Sequence, residues 1–293
     1  MKRAHALLLV AAAVAGVAGT IALTGEDHPS SAAPQVAEVR PVRSAKDIVL
    51  PLDRYQHSPA DLTTIDRAAA ELARRCLREF GQTWAAPDPV PVPESTGSTR
   101  YGVMDLAEVS RLGYHPPESD EPEPQEGPEP SPEAKMIYTG KGMTSIGGKQ
   151  IPDGGCLGKA RRELERGVPA AIPAAELVQL DQTTFEQAQQ DDRMRQAMAS
   201  WRGCMAESGF DYTDVWAANN DVRWESDTPA QVEIDTAKAD VTCRERTRLA
   251  DTWLAVETAY QRRAIEERAA GFEALDRGKK IRLDNAAKVL ASG

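Results

Sequence analysis

The sequence predicts a mainly α protein: two disulfide-stapled helical units, a small β-hairpin and a long, coiled-coil-like C-terminal helix. Three observations carry this. Apolar residues recur at three- and four-residue spacing over most of the chain. A pattern centred on a cysteine, C-[LM]-x-E-x-G-x-x-[WY], occurs at Cys76 and again at Cys204. The four cysteines lie far apart, with no C-x-x-C pair among them.

The chain opens with Lys2 and Arg3, then runs 18 residues from Ala6 to Leu23 without a charge. This length suits either a long signal-peptide core or a short membrane anchor, and residues 1–23 are read as one of the two. The basic start places the remainder on the outer face of the cytoplasmic membrane, secreted if the leader is cut and anchored by residues 6–23 if it is not. Residues 24–47, polar with scattered Pro, Ser and Ala, read as a linker.

The first unit spans 48–116 and is completed by 135–170. Ser58-Pro59-Ala60-Asp61 is a helix start, and Leu62, Ile65, Ala69, Leu72, Leu77 and Phe80 follow at helical spacing. Gly81 can end that helix in the left-handed region. Asp105 and Glu108 cap a short helix stopping near Gly113. Residues 117–133, PESDEPEPQEGPEPSPE, hold seven acids, six prolines and no base, so the segment 117–134 is expected to be a disordered spacer. Between 135 and 158, short apolar pieces separated by glycines suggest the hairpin leading into Cys156.

The second unit spans 171–293. A helical stripe runs from Leu177 through Trp201 to Met205, with Gly209 as its stop. Thr228-Pro229-Ala230-Gln231 reads as a capping box, and no proline follows it toward residue 290. Unbroken, about 60 residues at 1.5 Å each reach about 90 Å. Leu249, Trp253, Val256 and Tyr260 form a local coiled-coil seam in this helix, a candidate interaction surface. Residues 261–293 carry eight bases against five acids, which suits either a solvated face or docking on an acidic partner.

The cysteines follow the echo. Each of Cys76 and Cys204 sits near a helix end, and each of Cys156 and Cys243 opens a charged helical stretch. The repeated order favours Cys76–Cys156 and Cys204–Cys243 over the other two connectivities. Free structural thiols and a metal site are the competing readings; the latter wants clustered Cys or His, which the spacing does not offer.

Function is constrained mainly by exclusion. A net charge of −10 argues against a nucleic-acid partner. There is no H-E-x-x-H, no G-x-S-x-G and no penicillin-binding S-x-x-K. The glycine-rich stretch 142–150 fails the phosphate-loop pattern, since residue 148 is glycine and Lys149 precedes Gln150. Glu79 and Glu207, equivalent in the echo, are read as structural rather than as a glycosidase pair. No enzyme, cofactor or metal is expected.

The set formed by LPLDRY, the echo, YGVMDLAEVSRLGYHPP, IPDGGCLGKARREL and WRGCMAESGFDY resembles a group of uncharacterised actinobacterial proteins, secreted or N-terminally anchored, over about residues 45–270. The resemblance implies an envelope location, two disulfides and, for some members, companionship with envelope ABC transporters and their adaptors. The leading expectation is therefore a non-enzymatic extracytoplasmic protein that binds an envelope protein through its long helices. The alternatives are a small-ligand or sensing module with a pocket near Trp84, Tyr101 and Tyr114, and an unrecognised cell-wall hydrolase.

Overall fold

A computed structural model describes residues 33–37, 39–84, 99–117 and 128–292. The expected leader, the first part of the linker and residues 118–127 of the acidic spacer lie outside them. Among the described residues the chain forms ten α-helices and one two-stranded antiparallel hairpin.

Helix α1 (Pro59–Glu79) starts where its sequence says it should. The Ser58 hydroxyl accepts from the Asp61 N–H, and Asp61 accepts from the Ser58 N–H, a closed capping box. Helix α2 (Leu106–Leu112) is capped by Asp105, which accepts from the Ala107 and Glu108 N–H groups. The hairpin is shorter than its glycine-rich stretch suggests. Lys135 to Thr139 belong instead to helix α3 (Pro132–Thr139), whose Ser131 cap and first-turn proline place a helix start inside the expected spacer. Strands β1 (Ser145–Ile146) and β2 (Lys149–Gln150) pair Ser145 with Gln150 and Ile146 with Lys149. Gly147 and Gly148, both left-handed, make the turn between them. Helix α4 (Gly155–Leu164) then crosses the end of α3 so closely that a Cβ on Gly155 would sit 2.4 Å from the Tyr138 carbonyl oxygen.

The stripe from Leu177 to Met205 divides into α5 (Ala174–Gln190) and α6 (Asp192–Glu207), with Asp191 between them capping α6. The short α7 (Val215–Asn219) follows. The capping box expected at Thr228 does not form: α8 (Gln231–Thr247) starts with Ala230 at its cap and no side-chain cap bond. Nor is the C-terminal helix one rod. It is three segments, α8, α9 (Leu249–Glu267) and α10 (Ala269–Ala291), broken at Arg248 and Arg268. Arg248 is left-handed, φ 54°, though neither glycine nor proline marks the site. Long-range contacts meet there: the Arg248 guanidinium donates to the Val39 carbonyl of the strap as well as reaching Asp251 one turn on at 2.8 Å, while Leu249 turns into the core.

Both disulfides join the pairs the echo favours, Cys76–Cys156 and Cys204–Cys243. The echo continues into three dimensions. Gly81 and Gly209 each close a Schellman turn: Gln82 N–H bonds the Leu77 carbonyl, and Phe210 N–H bonds that of Met205. Glu79 pairs with Lys159, and Glu207 with Arg246. Each of these bases stands three residues after the partner cysteine, so every staple carries an ion pair beside it. The structural role read for both glutamates is what these contacts describe.

The buried residues of the described chain fall into five clusters, two of them built around the staples. Cys76, Leu77, Ile137 and Cys156 centre one core; Trp201, Met205, Leu249 and Trp253 centre the larger. Yet Tyr101, from the first expected unit, stacks on Trp253 at 5.1 Å, and α10 returns to pack along α1, where Ala68, Leu164 and Ala286 share a small cluster. Residues from Pro34 onward form one compact unit.

Candidate functional site

Helix α9 has a buried apolar face and an outward face of mixed polarity. Leu249, Trp253 and Val256 are almost wholly buried, and Tyr260 packs beside them. The expected seam is thus part of the molecule's own core, correcting its reading as a free interaction surface. Trp253 alone meets Tyr101, Phe185 and Trp216. Each such fully buried side chain contributes about 1.5–3 kcal/mol by transfer, which is why the fold claims them.

The three residues offered as a pocket are not gathered in one. Trp84 packs on Tyr138 beside the smaller core and donates to the Pro128 carbonyl. Tyr101 is fully buried in the larger core, donating to Glu257 at 2.7 Å. Tyr114 bonds Asp240 and stacks on Trp224. Each aromatic is committed to local packing.

Charge is buried around them. Asp240, on α8, accepts from Trp201, Tyr114 and Arg244. Glu257, on α9, accepts from Tyr101 and Arg100, and Arg100 also makes a two-pronged pair with Asp181. Burial pushes the Glu257 carboxyl up, against the pull of Arg100. These groups are satisfied by one another, which marks them as fold-specifying.

The open face lies elsewhere, around the segment expected to be a linker. Over its described residues, 33–47 is a strap laid on the helices. The Val42 N–H bonds Asp251, while Arg193 and Arg248 donate to the Pro34 and Val39 carbonyls. On one side, the strap and the outward stripe of α9 enclose a groove of about 400 Å³, floored by Leu254, Ala255 and Thr258. On the other, a cleft of about 380 Å³ runs between the strap and Met104, Leu106 and Val241. Pro41 and Asp251 line both, so the two adjoin. Among the described residues, two of the six exposed large hydrophobics line these concavities, Val49 the groove and Leu106 the cleft, and a third, Val39, lies on the strap.

The charge excess of 261–293 is mostly consumed internally. Lys279 bonds the Gln56 carbonyl and faces Asp61, Arg282 pairs with Glu165, Lys280 with Asp284, and Arg277 with Glu273. Arg262, at the end of the groove, has no such partner among the described residues. Sequence reading missed Arg40, Leu254, Ala255, Thr258 and Arg262. The signal available was the second stripe on α9, at 251, 254, 255, 258 and 262, which keeps helical spacing but mixes polarity.

Among the described residues, no helix is long and apolar enough to cross a membrane, and no group of three or more His, Cys, Asp or Glu side chains converges as a metal site. Neither a protein-family model, nor a curated protein, nor a solved structure gives a significant match to this chain.

Proposed function

We propose that this chain is a non-enzymatic extracytoplasmic protein of the cell envelope that binds another protein through the face built by its strap and α9. The observation carrying this is a pair of adjoining concavities, one lined by exposed Val49 and the other by exposed Leu106, each with arginines in its lining. Exposed apolar surface rimmed by polar residues marks interaction sites, and arginine is enriched in them. An extracytoplasmic setting draws support from the two disulfides, which persist in oxidising compartments, and from the basic start and apolar run of the leader. The helices remain the binding element, but by the outward stripe of α9 rather than the buried seam.

The test is position-specific photocrosslinking in cells. A photoreactive residue replaces Val49, 70% exposed on this face, or Val222, 75% exposed on the 3₁₀ turn after α7. A discrete protein adduct at Val49 and none at Val222 is expected, with a transporter or adaptor subunit the first candidate from the sequence resemblance. Equal labelling at both positions, or none at Val49, sinks the reading.

A further inference from the structure

We infer that the groove between the strap and α9 receives an extended acidic segment of the partner, about five residues long, with carboxylates flanking apolar side chains. This deepens, and rests on, the binding role proposed above. What carries it is an imbalance in how the groove's charges are used. Among the described residues, two acids and two bases line the cavity. Both acids are occupied: Asp251 accepts from the Val42 N–H and from Arg248, each at 2.8 Å, and Asp47 accepts from the Arg43 and Ser44 N–H groups, each at 2.9 Å. Both bases, Arg40 and Arg262, are exposed and have neither ion pair nor hydrogen bond among the described residues. Asp251 is matched by Arg248, while Asp47 is bonded to uncharged donors and keeps its charge; among the described residues, Arg40, Arg248 and Arg262 outnumber the two acids by one, and the groove's balance is positive.

Shape narrows the class. The stripe from Asp251 to Arg262 covers eleven helical steps, about 16 Å, the length of about five residues of extended chain. Between its ends lie Leu254, Ala255 and Val49, which a lone inorganic anion would leave uncovered. The Thr258 hydroxyl adds a hydrogen-bonding group on the floor. A membrane surface also attracts arginine, but a planar headgroup layer does not follow a concave channel. The chain as a whole carries −10, so an acidic segment is repelled by most of the surface and accepted here, a source of specificity.

The experiment uses the full chain and a fluorescein-labelled Asp-Leu-Asp-Val-Asp peptide, beside its Lys-Leu-Lys-Val-Lys counterpart, read by anisotropy. The wild type is expected to bind the acidic peptide and not the basic one. The Arg40→Glu/Arg262→Glu variant, changed only at exposed positions, is expected to lose acidic-peptide affinity by about tenfold or more and to gain the basic peptide. Absence of acidic-peptide binding, equal binding of both peptides, or unchanged affinity in the double variant overturns the inference. Co-sedimentation with vesicles of equal phosphatidylglycerol and phosphatidylcholine, without peptide binding, also overturns it by assigning the arginines to a lipid surface. The Val49 crosslink separates the two claims. An adduct with no charge dependence leaves the binding role standing and removes the acidic partner; no adduct removes the binding role whatever the peptides do.

Discussion

At the scale of single residues, His115 links the fold to pH. Its Nε2 lies 2.6 Å from the Ser226 carbonyl oxygen and its Nδ1 2.8 Å from the buried Glu233 carboxylate, which also accepts from the Tyr114 N–H. Two acceptors facing two ring nitrogens favour the doubly protonated ring, and the hydrogen bond to Ser226, then that to Glu233, raise its pKa above 6.5. A base whose folded pKa is raised stabilises the fold fully below its unfolded value, and that contribution vanishes as pH climbs through the folded one. The stability advantage of wild type over His115→Gln in urea should therefore be larger at about pH 5.5 than at about pH 8.5. A pH-independent difference would falsify the charged clasp. Of the individual residues, the cysteines and the echo glutamates were legible in the sequence, because a repeated pattern names its own members. Arg40 and Arg262 were not, since what distinguishes them is the lack of a neighbour in space.

At the scale of elements, helix starts with a serine or aspartate cap were legible at α1 and α2, where the cap bond lies within four residues. Breaks made by distant contacts were not. Nothing local forbids a helix through Arg248; the strap and the core decide it. This gives a sign test. Inside a helix glycine is worse than alanine by about 0.5–1 kcal/mol, whereas in the left-handed region it is better by about 1–2 kcal/mol. Arg248→Gly should thus be more stable than Arg248→Ala in chemical denaturation, both having lost the same guanidinium. The opposite order would restore the unbroken rod. The seam on α9 shows a related limit. Its spacing is that of a packed helix face, but spacing alone does not say whether the opposing surface belongs to a partner or to the same chain. Helix α8 was harder still to orient, because the face it buries carries Glu233, Asp240 and Arg244, which periodicity searches read as solvent-facing.

For the whole molecule, the staples matter more than any one helix. They close loops of 80 and 39 residues, for which chain entropy gives about 4.5 and about 4 kcal/mol. Replacing either pair by serine should lower the urea midpoint substantially, and non-reducing peptide mapping should link Cys76 only to Cys156 and Cys204 only to Cys243. A midpoint untouched in one double variant would mean that bond does not constrain the unfolded chain. The disulfide framework and the mainly α class were legible because they need only order and period. The long-range packing was not, since Tyr101 stacks on Trp253 and α10 packs along α1, partners distant from them in sequence. The pairing has a further consequence for biogenesis. Each cysteine bonds the next one in the chain, first with second and third with fourth. In a polypeptide delivered N-terminus first into an oxidising compartment, the native partner of Cys76 and of Cys204 is the next thiol to emerge, so oxidation that keeps pace with delivery yields the native pattern without reshuffling.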